Sequence, residues 1–366
     1  MRYLHGLDAL RIVASVMVVY DHLHGWFASG GQRWRFDENL DAAVLGPLRL
    51  DALMGAFGIC TFFVVSGVVI THAAFRESPG RFVARRAVRI VPLLWAVVLL
   101  VWVLAVVHVP AGVTGPVDVR DLLTNLTLTN FFVPNQTGLD LVTWTLAVQI
   151  AYYLFVAATI PLLRRWPWLP PALAVTVVSV LLSVVHDEST PATHMLRVII
   201  TFLPILFIGQ LVGLARLGRL HPLAALAYGV LQCLLLARAD MTSDLTPAIP
   251  GYTRMVVCIA LLVIVCCRLD GGLVAGRWTR GVANRTYAVF LVHVPVLYVT
   301  PHLLSTTTGT TLAFLIAIVA TAVVADLLYR FVEVPCVRWY RKWENRGRNS
   351  AERAPDDLAG RVEAAR

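Results

Sequence analysis

The sequence predicts an all-α fold: a polytopic membrane bundle of about ten transmembrane helices with both termini cytoplasmic. Three observations predict it. Of 366 residues 58% are hydrophobic and only 14% charged, with a mean hydropathy of +0.72, whereas soluble domains carry roughly 25% charged residues. Apolar runs long enough to cross a hydrocarbon core of about 30 Å recur ten times. Lys and Arg are distributed unevenly between the intervening loops.

In chain order the runs fall at 7–27, 52–74, 90–109, 139–163, 169–186, 196–215, 221–237, 251–268, 284–303 and 310–331. A Thr- and Asn-rich stretch from Leu122 to Val133 is too short to span and reads as a re-entrant or interfacial element packed against protein. With the N-terminus inside, the external loops hold only Arg33, Arg35, Arg49, Arg120, Arg197, Arg238 and Arg254, leaving 24 of the 31 basic residues on the cytoplasmic side. The net charge of +9 is therefore largely topogenic, and no nucleic-acid partner is implied. The chain divides into a membrane domain, 1–343, and a tail, 344–366, whose Arg, Glu, Asp and Ala without apolar periodicity read as a disordered cytoplasmic segment. The first run reads as a retained helix and not a cleaved leader, because Asp8, Arg11, Asp21 and His22 interrupt what would have to be an uncharged core.

The cysteines (Cys60, Cys233, Cys258, Cys266, Cys267, Cys336) show no C-x-x-C or Cys/His spacing, so neither a disulfide nor a metal site is expected. Chemistry must then come from polar side chains in or beside the spans, where each ionisable group costs roughly 2.5–3.5 kcal/mol and is a functional candidate by default. The first run carries most of them. Arg11 and His22 are eleven residues apart, so on a helix they return to within about 20° of one face, roughly 16 Å apart along the axis. Asp8 lies one turn before Arg11.

Four other segments stand out. Ser66-Gly67 in the second run would let a neighbouring helix or a thin ligand approach closely. Arg76, Arg81, Arg85, Arg86 and Arg89 exceed what topology requires; Arg85 and Arg86 each stand one turn from Arg89, so their guanidinium groups can converge on phosphate oxygens or on anionic lipid. Trp144, with Gln149 beyond it, lies in the fourth run; Trp144 suits an outer aromatic belt and Gln149 needs a hydrogen-bonding partner within the span. His293, close to Pro295, is a second intramembrane histidine, and Glu333 at the end of the last run can pair with the arginines. For each of these a packing or ion-pair role competes with a ligand-binding one.

Taken together these residues resemble the membrane acyltransferase-3 family, integral-membrane O-acyltransferases that modify glycans, lipids and some antibiotics. The resemblance covers about 7–340. Its most specific element is Leu7-Asp8-Ala9-Leu10-Arg11 with His22, an Arg-x10-His pattern. With it stand Phe62 to Gly67, Arg86-x-x-Arg89 before Pro92, Trp144-Thr145-Leu146, Tyr287 to Pro295, and Glu333-Val334-Pro335. The resemblance implies a ten-span fold in the cell membrane. Its co-substrate would be acyl-CoA, usually acetyl-CoA, arriving from the cytoplasm, with no permanently bound cofactor. The acceptor would be a glycan, lipid-linked sugar or amphipathic natural product. It implies His22 as the catalytic histidine, Arg11 on the thioester or its pantetheine arm, and Arg86 and Arg89, with Arg85 beside them, on the phosphates of CoA. Asp8, Ser66, Trp144, Gln149, His293 and Glu333 would bind substrate or shape the site. The family pattern usually has Glu where this chain has Gln149, an amide that can hydrogen-bond but cannot carry a proton in catalysis; Asp21, Asp140 and Tyr152 are the substitutes at hand. A transporter or flippase, or a non-catalytic acyl-CoA or lipid sensor, would also need many spans and buried polar groups.

Overall fold

The computed structural model describes residues 4–29, 35–48, 54–113, 115–186, 188–242, 252–269, 271–304 and 310–346, and every regular element among them is helical. In order these are α1 (His5–Ser29), α2 (Arg35–Leu40) leading through a π turn into α3 (Gly46–Leu48), α4 (Met54–Ala74), α5 (Pro79–Val106), α6 (Val119–Leu126), α7 (Trp144–Arg165), α8 (Leu169–Val184), α9 (Pro191–Arg216), α10 (Pro222–Thr242), α11 (Tyr252–Cys266), α12 (Arg277–Ala283), α13 (Thr286–Leu304) and α14 (Thr310–Leu328). Each of the ten apolar runs is a helix. Seven of the helices are long and apolar enough to cross a membrane: α4, α5, α7, α9, α10, α13 and the helix that α14 begins, Thr311–Arg346. The apolar α8 and α11 have 16 and 15 residues, and the 25-residue α1 carries Asp8, Arg11 and Asp21.

Helix ends follow local chemistry. Ser78 precedes Pro79, whose fixed φ suits a first helical position. α5 therefore starts at Pro79, eleven residues before the predicted run, and takes the arginine cluster into its first turns. Pro92 sits inside it, removing one backbone bond without ending the helix. α7 starts at Trp144 instead of 139, because residues 139–143 form turns held by Asn125, whose Oδ1 accepts from the Leu139 amide at 3.0 Å. Leu122–Val133, expected to be non-spanning, is α6 with a single 3-10 turn, and Asp118 and Asp121 close a reciprocal capping box at the start of α6. At the other end of the chain the last helix passes residue 343 and reaches Arg346, so the first three residues of the expected tail are ordered; the rest of it lies outside the described residues, as do Arg33 and Arg49. Arg197, expected in an external loop, is buried in the second turn of α9, where it donates to the Val185 carbonyl at 2.9 Å and to Thr242.

The helix α9 is the axis of the larger core: 83% of its apolar stretch is buried, against 22% for α10. It meets α4 at two glycines. A Cβ on Gly67 would lie 2.2 Å from the Leu206 carbonyl oxygen, and one on Gly209 would lie 2.1 Å from that of Val64. Neither distance is tolerable, so the crossing exists only because both positions lack a side chain. A second core joins α5, α13, the start of α7 and part of the last helix, and Val18 of α1 packs into it.

Inter-helix contacts fix which ends lie together. Arg164, at the end of α7, donates to the Ala74 carbonyl at 2.8 Å; Gly213 of α9 lies against Thr71; Gly6 lies against the Cys266 carbonyl; Glu344 pairs with Arg81 and Arg85. The starts of α1 and α5 therefore share one end of the bundle, the arginine end, with the ends of α4, α7, α9 and α11 and of the last helix.

Candidate active site

At the arginine end α5 and the last helix enclose an open vestibule of about 920 Å³, lined by Arg85, Arg86, Arg89, Glu77, Glu333 and Glu344 among others. From it a narrow cavity of about 130 Å³ runs inward between α1, α4, α5, α7 and α13. Arg86 and Arg89 line both spaces. Farther in the wall is Arg11, Ser66, Gln149, Tyr153 and Tyr287, with Phe62 and Phe290 among the apolar lining.

Helical spacing and carboxylates sort the arginines. Arg85 is held by Glu77 and Glu344, each at 2.8 Å, and lines the vestibule only. The expected three-arginine cluster is thus two arginines facing the inner cavity, with Arg85 diverted into ion pairs. The Arg86 side chain is 16% exposed, stacks over Phe82 and reaches Glu77 at 3.3 Å, while its Nε–H is buried with no partner. Arg89 stands 3.9 Å from Glu333, too long for a hydrogen bond. Glu333 is buried in a π turn of the last helix, and one of its oxygens has no partner. Two guanidinium groups therefore present unused donors at the neck between vestibule and cavity.

Inside the cavity Gln149 donates from Nε2 to Ser66 Oγ at 2.9 Å, which answers the predicted need of that amide for a partner. The Ser66-Gly67 pair splits its tasks: Gly67 admits α9, while Ser66 faces the cavity. The Tyr287 hydroxyl donates to the Ile90 carbonyl at 3.0 Å and ties α13 to α5. The inner wall is aromatic, with Phe62 and Phe290 at 5.9 Å between ring centroids, and beyond Phe290, at 6.0 Å, is His293. His293 is fully buried; its Nδ1–H donates to the Phe290 carbonyl at 2.8 Å, which leaves Nε2 as a bare acceptor, and no partner reaches that atom. The half-buried His22 ring meets His293 edge-on at 5.0 Å between centroids. The two helices α1 and α13 both start at the arginine end and carry their polar groups inward together, Arg11 then His22 on one, Tyr287 then His293 on the other.

Besides Arg85 and Glu333, which line the vestibule only, four expected site residues do not line the inner cavity: Asp8, Trp144, His22 and His293. Asp8 is buried in the first turn of α1 and does not line the cavity. Trp144 packs inward on Phe202 at 5.0 Å, so it is not part of an aromatic belt facing lipid. Of the substitutes for the missing glutamate, Asp21 accepts from the Gly55 amide at 3.1 Å and so caps α4, and Tyr152 is buried in the α4–α9 core. Asp140 is buried before α7, and burial raises its carboxyl to about 7, but it is not a cavity residue either. The sequence reading missed the Phe62–Phe290 contact and the bracing by Glu77 and Glu344. An aromatic residue in an apolar run carries no mark that sets it apart from core.

A chain of this hydropathy, whose regular elements among the described residues are all helical and include seven helices able to cross a membrane around an inner cavity, has the build of a multi-pass membrane protein. The family model described as "Acyltransferase domain" matches residues 4–330, and the chain belongs to that family, the membrane acyltransferases. Among curated proteins it is similar to Nodulation protein 10 of Rhizobium leguminosarum bv. viciae, 25% identical over 187 residues that cover 44% of this chain and 46% of the relative. It is also similar to the exopolysaccharide production protein ExoZ of Rhizobium meliloti (strain 1021), 29% identical over 189 residues, 47% of this chain and 54% of the relative. Each alignment thus spans about half of the relative. No solved structure matches the chain.

Proposed function

We propose that this membrane acyltransferase takes an acyl group, acetyl in the simplest case, from cytoplasmic acyl-CoA. It delivers that group to a hydroxyl of a glycan, a lipid-linked sugar or an amphipathic natural product. In this reading all ten helices span the cell membrane, both termini are cytoplasmic and the arginine end faces the cytosol. The observation that carries it is the cavity that runs from the Arg86–Arg89 neck past Arg11 to the aromatic wall at Phe290, behind which His293 and then His22 stand.

The chemistry assigned to each residue follows from its place on that path. Arg86 and Arg89 hold the phosphates of CoA with guanidinium forks suited to phosphate oxygens. The pantetheine arm enters the narrow cavity and passes the Ser66–Gln149 pair. Arg11 and His22 lie roughly 16 Å apart along α1, on the order of the arm's length, so the thioester can reach the histidine pair. Neutral His22 takes the proton of the acceptor hydroxyl, a contribution typically worth about 10²–10⁴-fold. The oxygen attacks the thioester carbon, and the negative charge that develops on the carbonyl oxygen is met by a hydrogen-bond donor beside His22; Arg11, nearer the neck, holds the pantetheine arm. The carbon–sulfur bond then breaks; CoA leaves as thiolate and recovers the proton from His22. His293 orients the His22 ring through their edge-on contact. Gln149 serves as a hydrogen-bond donor and not as a proton carrier.

The acceptor class draws on two things: the exopolysaccharide for which one relative is named, and a cavity that opens within a membrane. The test is mass spectrometry of cell-envelope glycans and small molecules from cells with and without the gene, paired with thioester turnover by the purified protein. Loss of one acyl mass, together with release of free CoA, is expected. An unchanged envelope and no turnover of any acyl-CoA would overturn the reading.

A further inference from the structure

On the face of the bundle away from the cavity, a groove of about 740 Å³ lies between α9, α10 and α11. We infer that this groove is a binding site for one anionic diacyl glycerophospholipid, with its phosphate on Arg216 and Arg268 and an acyl chain along α10.

Three features argue for that occupant. The groove runs from Pro222 to Ala237 on α10 and from Thr253 on α11 to Arg268 in the turn that follows it. Fifteen residues of helix rise about 22 Å, more than half of a hydrocarbon core of about 30 Å. That length accepts one leaflet's acyl chain and its glycerol. Its middle is open because α10 has Gly229 there, and a Cβ built on that residue meets nothing within 4 Å. Its rims are exposed and apolar, Leu226, Val230, Leu234 and Leu261 being 64%, 51%, 60% and 58% exposed. Such a surface belongs against hydrocarbon.

The third feature is charge. Both arginines lie at the arginine end, are exposed, and have no hydrogen-bond or ion-pair partner among the described residues. The vestibule arginines differ, since Arg81 and Arg85 are each neutralised by carboxylates. Two unneutralised guanidinium groups closing one end of an apolar slot are complementary to a phosphodiester that carries no compensating ammonium. A zwitterionic lipid would fill the same slot with its choline group set against two cations. This site is independent of the acyl-transfer reading.

The test is native mass spectrometry of the full chain, delipidated in mild detergent and titrated with phosphatidylglycerol or phosphatidylcholine of identical chains. One phosphatidylglycerol is expected to be retained at least fivefold better than phosphatidylcholine. Arg216→Gln with Arg268→Gln should abolish that preference, and Gly229→Leu, which fills the slot, should reduce retention of both lipids. Arg76→Gln removes an exposed arginine at the same end that does not line the groove and should change nothing. Equal retention of the two lipids by the unaltered protein, an unaltered preference in the double variant, or an equal loss in Arg76→Gln would overturn the site. So would a dimer that cross-links through a cysteine placed at Val230, since a second copy would then cover the groove. Because the arginines are exposed, the double variant is expected to fold; the Gly229 variant tests the slot should it not.

Discussion

The α4–α9 crossing and the helices around the inner cavity are built from the same kinds of apolar residue, yet only one of them leaves room for a ligand. Between α4 and α9, glycines bring the backbones together; Thr71 there donates to the Gly67 carbonyl of its own helix at 2.7 Å, while Thr61, Thr201 and Gln210 keep buried atoms with no partner. A buried polar atom without a partner costs roughly 1–3 kcal/mol, which the close packing of this half must offset. Around the cavity, Arg11, Ser66, Arg86, Arg89, Gln149 and Tyr287 line a space that α1, α4, α5, α7 and α13 leave open. Polar groups on a cavity wall are available to a ligand; those sealed in the crossing are not.

The contrast breaks most sharply at His22. His22→Ala is expected to reduce acyl transfer by about 10²–10⁴-fold while the purified protein keeps its thermal stability. Transfer at the wild-type rate would remove His22 from the chemistry. In the packed half the reverse should hold: Gly209→Leu forces α9 off α4 and should destabilise the protein by about 1–3 kcal/mol or more. The measurement is the inactivation half-life at a fixed temperature, and an unchanged half-life would show that the crossing relaxes freely.

Arg86→Ala with Arg89→Ala should raise the Michaelis constant for acyl-CoA by roughly tenfold or more, as loss of about 1.4 kcal/mol of binding per factor of ten requires, and leave that of the acceptor near its original value. An equal rise for both substrates would make the pair a membrane anchor. The smallest effect belongs to Asp140, which lies outside the spans. Its carboxyl is raised to about 7 by burial, against an ordinary value of 3.8, so the folded protein holds a proton there that the unfolded chain has already lost. Stability from this group is full below about pH 4 and declines as pH rises to about 7. Asp140→Asn should flatten that slope in thermal melts between pH 5 and 8, and a slope identical to wild type would place the charge elsewhere.

Much of the site was legible in the residues because polar groups in an apolar run stand out and helical spacing is regular. The Arg11–His22 separation needs only an unbroken α1, and α1 is unbroken. Arg86 and Arg89 were legible for the same reason, one turn apart on one helix. Arg85 was misread because its partner Glu344 lies 259 residues away, in a stretch whose composition resembles a disordered tail. Trp144 was misread because an aromatic residue at a helix start suits a lipid interface and a core equally, and only the position of Phe202 on α9 decides between them.

By itself, then, the sequence determined the helices, their apolar character and which side chains share a helical face, since these depend on chemistry local to the chain. Tertiary structure alone decided that His22 would meet His293 and that Ser66 would face a cavity while Gly67 faced a helix. It also decided that two arginines of five would line the inner cavity. Those outcomes rest on contacts between segments far apart in the chain, and periodicity within a single segment carries no information about which face of another helix it will meet.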